Sequence, residues 1–117
     1  MKIILLMILG HLVSDYTLQG WLAEAKQIAW WRKQTDSPKY RHDWIAGLAC
    51  HSLYWSILTF LPLYNCDTWV YIVLANAALH AWIDHAKANL FVINLWQDQL
   101  LHLLQIVLFA TLTRTII

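Results

Sequence analysis

The chain has 117 residues, of which 60% are hydrophobic and 13% are charged, and its formal net charge is +1. A typical soluble domain is roughly 45–50% apolar and about 25% charged, so this composition is not that of an ordinary soluble domain. The small net charge argues against a nucleic-acid partner. We therefore expect a small membrane protein, with membrane lipid as its surroundings and residues 1–117 forming one domain.

Four long apolar runs follow one another along the chain, and each is close to the ~20 residues that a helix needs to cross a bilayer. The predicted spans cover residues 3–19, 43–63, 68–89 and 95–117. The first run begins like a secretory signal peptide, but no small-x-small cleavage motif follows it, which favours a permanent span. The sequence thus predicts an all-α fold, a polytopic membrane protein with four transmembrane helices in an antiparallel bundle.

The segment between the first two spans has a different character. Residues 21–33 place apolar side chains on one helical face and polar ones largely elsewhere, and they include three tryptophans. This pattern predicts one interfacial amphipathic helix in the headgroup layer. The connections after the first and third spans carry most of the basic residues: Lys26, Arg32, Lys33, Lys39, Arg41 and Lys87. By the positive-inside rule we expect a bacterial inner (cytoplasmic) membrane protein whose basic loop is cytoplasmic and whose termini lie outside.

Ionisable side chains interrupt the apolar runs in a regular way. Three spans carry a histidine and an aspartate four residues apart, and residues at that spacing share a helix face. The second span adds a single histidine. The complete set is His11, Asp15, His51, His80, Asp84, Asp98 and His102. In an antiparallel bundle these residues would all lie within roughly 12–15 Å of the cytoplasmic boundary, at about 1.5 Å per residue.

A charged group within a span costs ~2.5–3.5 kcal/mol even on insertion scales, so the charges of these seven side chains must be neutralised. One solution is a hydrogen-bonded network of imidazoles and carboxylates. The other is a metal site, because these seven side chains suit one to three divalent ions, most of all Zn, with Mn or Fe as alternatives. The sequence favours the metal site and leaves the network open.

Several stretches carry a resemblance to a known family: "GHLVSDYTLQGWLAEAK", then His51, then "HAWIDHAK" and "DQLLH". With them the chain resembles the small bacterial and phage membrane proteins grouped as domain of unknown function 3307, except in its Trp-rich "IAWWRKQTDSPKYRHDW" insert. That resemblance implies no activity. More distantly, the repeated His-x-x-x-Asp is similar to the membrane-bound metal-dependent hydrolases and to the zinc-dependent phospholipase C helical fold. The second of these implies zinc ions used for phosphodiester hydrolysis, but its N-terminal amine ligand has no match here.

The favoured function is a membrane-embedded metal-dependent hydrolase of a phosphate ester or anhydride, with a lipid-linked substrate. Asp15, Asp84 and Asp98 could bridge ions or orient water. Lys87 and Lys26 could hold a substrate phosphate, or could simply extend to the headgroups. A metal carrier, sensor or channel is an alternative, although the outer half has few polar residues. A non-catalytic interaction or membrane-lesion protein is another, and small residues in the third span would allow a homo-oligomer.

Overall fold

The computed structural model describes the backbone of residues 2–116 and the side chains of residues 2–113. This range contains helices and no strand, which confirms the all-α prediction. The helices are α1 (Lys2–Leu12), α2 (Leu22–Ala25), α3 (Ile28–Gln34), α4 (Asp43–Phe60), α5 (Trp69–Ala88) and α6 (Leu95–Ile116). Residue 1, the predicted end of the fourth span at residue 117 and the side chain of Arg114 lie outside the described residues.

Four helices, α1, α4, α5 and α6, form an antiparallel bundle, and cross-helix contacts fix its register. Between α4 and α5, the Ser56 hydroxyl donates to the Val73 carbonyl, whereas nearer the other end His51 meets His80. The short connections between α4 and α5 and between α5 and α6 leave little room for any other direction of these helices. The apolar core lies toward one end of the bundle and comprises Met7, Trp55, Phe60, Leu63, Ile72, Val73, Ile106 and Ala110.

Two glycines permit close approach of backbones at opposite levels of the bundle. A Cβ atom on Gly10 would lie 2.6 Å from the Leu58 carbonyl oxygen, so α1 and α4 touch there almost directly. A Cβ atom on Gly47 would lie 2.5 Å from the Ala25 carbonyl oxygen. Gly47 therefore lets the short helix α2 sit against α4, beside the polar end of the bundle.

The outer surface of the long helices is strongly apolar. Tyr71, Trp82 and Trp96 are 75%, 71% and 85% exposed, and many leucines on α1, α5 and α6 are exposed as well. Within the described residues, one continuous helical stretch, Pro38–Leu63, is long and apolar enough to cross a membrane, with a mean hydropathy of 1.3. The helix α1 has only 11 residues, and polar side chains lower the hydropathy of α5 and α6.

Two predicted helices differ in detail from the structure. The first predicted span is not a uniform α-helix, because the chain continues from α1 as a π-helix over Val13–Thr17. The prediction of one continuous interfacial helix over residues 21–33 is wrong, since α2 ends at Ala25 and α3 begins at Ile28. The other three predicted spans coincide closely with α4 and its terminal 3₁₀ turn, with α5 and with α6.

Candidate metal centre

All seven predicted ligands lie at one level of the bundle and are buried, with at most 8% of any of them exposed. Each of the four long helical segments contributes: α1 with its π-helical extension, α4, α5 and α6. The residues concerned are His11, Asp15, His51, His80, Asp84, Asp98 and His102. The i,i+4 spacing read from the sequence thus corresponds to inward-facing side chains on every helix.

Three of these side chains converge on one point between α4, α5 and the π-helix. His51 Nε2 lies 3.4 Å from Asp15 Oδ1 and 3.1 Å from His80 Nε2. The third distance, from His80 Nε2 to Asp15 Oδ1, is 3.9 Å. Asp84 Oδ2 adjoins the same point, at 3.3 Å from His51 Nε2 and 3.6 Å from His80 Nε2.

These distances fit the ligand spacing of a tetrahedral site. Ligand bonds of 2.0–2.1 Å give a separation of about 3.3 Å between neighbouring ligand atoms in a tetrahedron. The three separations within Asp15, His51 and His80 range from 3.1 to 3.9 Å. Asp15 Oδ1, which points into this group, is buried and has no hydrogen-bond partner within the described residues. Two imidazoles and one carboxylate are a donor set suited to Zn or Fe(II).

A second group adjoins the first and involves the other oxygen of Asp84. His102 Nε2 lies 3.7 Å from Asp84 Oδ1 and 3.3 Å from Asp98 Oδ1. His80, Asp84 and His102 also lie close enough together to share an ion. Both groups need His80, whose Nε2 faces Asp84 as well as Asp15. The two groups therefore overlap at this one side chain.

His11 belongs to the cluster but has both ring nitrogens in use. The indole Nε1–H of Trp55 donates to His11 Nδ1 at 2.8 Å, and His11 Nε2 lies 3.0 Å from Gln99 Oε1. Because an indole N–H can only donate, Nδ1 must be the acceptor, and Nε2 must carry the proton that Gln99 accepts. The structure therefore places the predicted ligand His11 in a neighbouring hydrogen-bond network.

Two lysines contact the carboxylates of the cluster. Lys26 Nζ lies 2.6 Å from Asp84 Oδ2, and Lys26 is only 5% exposed. Lys87 Nζ lies 2.7 Å from Asp98 Oδ2 and 3.8 Å from Asp84 Oδ1, and its side chain is 26% exposed. With neutral histidines, three carboxylates and two ammonium groups leave one negative charge. The cluster can therefore accept further positive charge.

The break between α2 and α3 explains how Lys26 reaches this site. Asn89, at the end of α5, accepts a hydrogen bond from the Ile28 amide and donates one to the Lys26 carbonyl. Both bonds use backbone groups that a continuous helix would have occupied itself. The interruption turns Lys26 inward, where it also donates to Gln19 Oε1 at 2.6 Å. The sequence gives no period-based signal for this break, because residues 21–33 keep a helical pattern throughout.

The sequence reasoning missed one residue that organises the cluster, Trp55. Its ring stacks on His80 with centroids 4.1 Å apart, and it contacts His11 and His102. Trp55 lies four residues after His51, so helix periodicity alone places both on one face. The sequence signal for Trp55 is therefore its spacing from His51. Gln99, next to Asp98 in sequence, donates to Asp98 Oδ2 at 2.9 Å.

The geometry can be compared with known proteins. No curated protein and no solved structure matches the chain. Residues 3–117 match a family model described as "Protein of unknown function (DUF3307)". The match includes all the segments that supply the buried cluster, and the tryptophan-rich stretch after α2 as well. Since it spans nearly the whole sequence, the chain belongs to the DUF3307 family.

Proposed function

We propose that the protein is a metal-dependent hydrolase embedded in the bacterial inner membrane, with α1, α4, α5 and α6 as its four spans. Support comes from the apolar outer surface of these helices together with a buried polar cluster at one level. Helices that expose aromatic and aliphatic side chains while facing charged ones inward suit a lipid environment. By the positive-inside rule, the basic residues of the segment around α3 support a cytoplasmic location for this end of the bundle, with both termini outside.

This topology has a direct test in fusions to the C-terminus. Alkaline phosphatase folds only outside the cytoplasm, and most green fluorescent protein fusions fluoresce only inside it. We expect a C-terminal alkaline phosphatase fusion to be active and the matching fluorescent fusion to be dark. The reverse result would place the cluster near the outer face and overturn the assignment of the basic loop.

The observation that carries the metal proposal is the convergence of Asp15 Oδ1, His51 Nε2 and His80 Nε2. We assign these three atoms as ligands of one divalent ion, most suitably Zn, with Fe or Mn as alternatives. With only these three ligands, an ion would keep one position for water or substrate, as in catalytic zinc sites. Asp84 Oδ2 lies 3.3 Å from His51 Nε2, and Lys26 Nζ holds it at 2.6 Å.

The surroundings of this open position suit hydrolysis of a phosphate ester or anhydride. A divalent ion supplies Lewis acidity toward a phosphoryl oxygen. Asp84 would accept a proton from water as the water oxygen attacks phosphorus, and the P–O bond to the leaving alcohol breaks with protonation of that oxygen. His102, paired with Asp98, adjoins Asp84; in its imidazolium form it would donate that proton and then recover the proton held by Asp84. Lys87 is the more exposed of the two lysines and would contact the substrate phosphate.

Metal content is the first measurement. Tag-free protein purified in detergent should contain about one equivalent of metal by plasma mass spectrometry, since Asp15, His51 and His80 supply the ligands of one ion. Asp15→Asn and His51→Gln should each lose most of this metal, because each removes one of three ligands. His42→Gln, at an exposed position in the loop, is the matched control and should retain it. If the wild-type protein keeps its full helical content but binds no metal even after incubation with zinc, the metal site is refuted.

Activity separates a catalytic from a structural ion. Bis(p-nitrophenyl) phosphate and p-nitrophenyl phosphate are suitable probes in micelles. We expect the metal-loaded wild-type protein to hydrolyse at least one of them. The variant Lys26→Gln with Asp84→Asn removes both members of the buried pair, so that no charge is left unpartnered. We expect it to keep its metal and lose hydrolysis. Loss of the metal as well would mean that Asp84 is a fourth ligand and that the site is closed.

A second candidate is a non-catalytic membrane protein with a structural His–Asp network, for interaction or membrane lesion. Its support is that Lys26 and Lys87 already neutralise two of the three carboxylates. In addition, four cavities of about 350–530 Å³ among the described residues are lined by side chains outside the cluster. This candidate predicts full helical content, no bound metal and no loss of stability in the presence of a chelator.

A further inference from the structure

A separate site lies outside the buried cluster, on the tryptophan-rich segment that connects α2 to α4. A cavity of about 530 Å³ opens between α3, the loop that follows it and the first turn of α4. Its walls include three aromatic side chains, Trp31, Tyr40 and Trp44. Two arginines line it as well, Arg32 and Arg41.

The aromatic walls of this cavity are held in place by contacts with each other and with neighbouring residues. The Trp31 indole donates a hydrogen bond of 2.7 Å to the Ala25 carbonyl and stacks on Tyr40 with rings only 8° from parallel. Trp44 stacks on His85 of α5, with ring centroids 5.1 Å apart. Because these rings are fixed by neighbours, the cavity is preorganised rather than formed on binding.

The cationic side chains of the cavity have no partner of opposite charge. None of the ion pairs found in the described residues includes Arg32 or Arg41. His42 also lines the cavity, and its one acidic residue is Asp36. Two guanidinium groups against one carboxylate leave a net positive site. Guanidinium groups bind phosphate through paired N–H donors, which lysine cannot reproduce.

We propose that this cavity binds the headgroup phosphate of an anionic phospholipid, such as phosphatidylglycerol. Charge complementarity selects an anion, and aromatic side chains beside a phosphate are characteristic of the membrane interface. The hydroxyls of Thr35 and Ser37, which also line the cavity, suit the glycerol of such a headgroup. The inference rests on the proposed membrane placement and is independent of the metal centre.

The chain contains a matched control for this site. Lys33 and Lys39 are neighbours of the two arginines in sequence and carry the same charge, but they do not line the cavity. Arg32→Gln with Arg41→Gln therefore removes the same total charge as Lys33→Gln with Lys39→Gln. All four side chains are exposed, so both double variants should fold.

Native mass spectrometry in non-ionic detergent, with added phosphatidylglycerol or phosphatidylcholine, measures the binding directly. We expect the arginine double variant to bind phosphatidylglycerol about tenfold more weakly, as befits loss of charge-assisted hydrogen bonds. The affinity of the lysine double variant should stay within about twofold of the wild-type affinity, because these lysines contribute only diffuse surface charge. The affinity of the Arg32→Lys, Arg41→Lys variant should lie between those of the other two, because lysine keeps the charge but lacks the paired N–H donors.

Three outcomes would overturn the proposal. Equal losses in the arginine and lysine variants would indicate diffuse electrostatic attraction, and equal binding of phosphatidylcholine would exclude selection of an anionic headgroup. Displacement of the lipid by millimolar glycerol phosphate would indicate a site for a soluble phosphate. Metal content measured on the same variants should be unchanged, so a failure here remains distinct from a failure of the metal centre.

Discussion

The two ends of the bundle both bury polar side chains, but they satisfy them differently. At the apolar end, Ser56, Asn76 and Thr113 donate to backbone carbonyls. At the cluster end, the polar side chains meet one another, and several of their atoms lack a partner. Seven of the ten buried, unpartnered side-chain atoms found in the described residues belong to Asp15, His51, His80, Asp84, Asp98 and His102.

This difference separates stability from function. Asn76 and Thr113 bond a carbonyl of their own helix and Ser56 bonds one of α5, so none of the three needs a second polar side chain, and packing holds the apolar end. Buried atoms without partners cost free energy, and a fold retains them where they serve another purpose. The cluster end is therefore the region where we expect substitutions to change binding, whereas substitutions at the apolar end should change only stability.

The largest effect should come from Trp55, which connects the two regions. It packs against Phe60 at the apolar end and stacks on His80 at the other. Trp55→Ala should cost about 3–5 kcal/mol, since it opens a cavity and also leaves His11 Nδ1 without its donor. Titration of detergent-solubilised protein with SDS, followed by circular dichroism, measures this cost. Trp82→Ala, at a 71% exposed position, is the control and should change little.

The buried pair of Lys26 and Asp84 should show the next effect. Lys26→Met leaves a carboxylate that is 1% exposed without its closest cation, at a cost of about 3–5 kcal/mol. Adding Asp84→Asn to this variant should recover much of the loss, because neither charge then remains. The same SDS titration tests both variants. A double variant as unstable as Lys26→Met alone would show that packing, and not charge, explains the loss.

A smaller effect is expected where α1 and α4 touch. Gly10→Ala places a methyl group against the Leu58 carbonyl, so the helices must separate, at a cost of about 1–3 kcal/mol. Metal content should be unaffected, because the change lies toward the apolar end. Leu9→Ala, on the outward face of α1, serves as a control for α1 substitutions in general. Loss of metal in Gly10→Ala would mean that the two regions are coupled through α1.

The sequence was sufficient to predict the helices and the level at which the polar side chains meet. Apolar run length located α4, α5 and α6 closely, and the i,i+4 pairs of histidine and aspartate identified the buried residues. Periodicity works there because the pairs on α5 and α6 face inward on regular helices, and the π-helical turn after α1 still keeps Asp15 on the inner side. Periodicity does not indicate which atoms form hydrogen bonds, so only the structure shows that Trp55 and Gln99 occupy both ring nitrogens of His11.

The segment after the first span could not be predicted for a different reason. Its helical pattern is continuous in sequence, but Asn89, 61 residues away from Ile28, competes for its backbone groups. A tertiary contact of this kind overrides local propensity. The same contact turns Lys26 from the interface toward Asp84. The sequence placed this lysine on an interfacial helix, either as a phosphate contact or as a side chain extending to the headgroups, whereas it is buried beside Asp84.

The smallest effect should come from the hydrogen bond between α5 and α6 at the apolar end. Gln105 Nε2 donates to Asn76 Oδ1 at 2.8 Å and to the Asn76 carbonyl at 3.0 Å. Side-chain hydrogen bonds between membrane helices average about 0.6 kcal/mol, because the separated helices find other partners. Gln105→Leu, which also removes the unpartnered Gln105 Oε1, should therefore change stability by less than about 1 kcal/mol in the SDS titration. A loss comparable to that of Lys26→Met would mean that the apolar end, too, depends on a specific polar contact, and the contrast between the two ends would no longer hold.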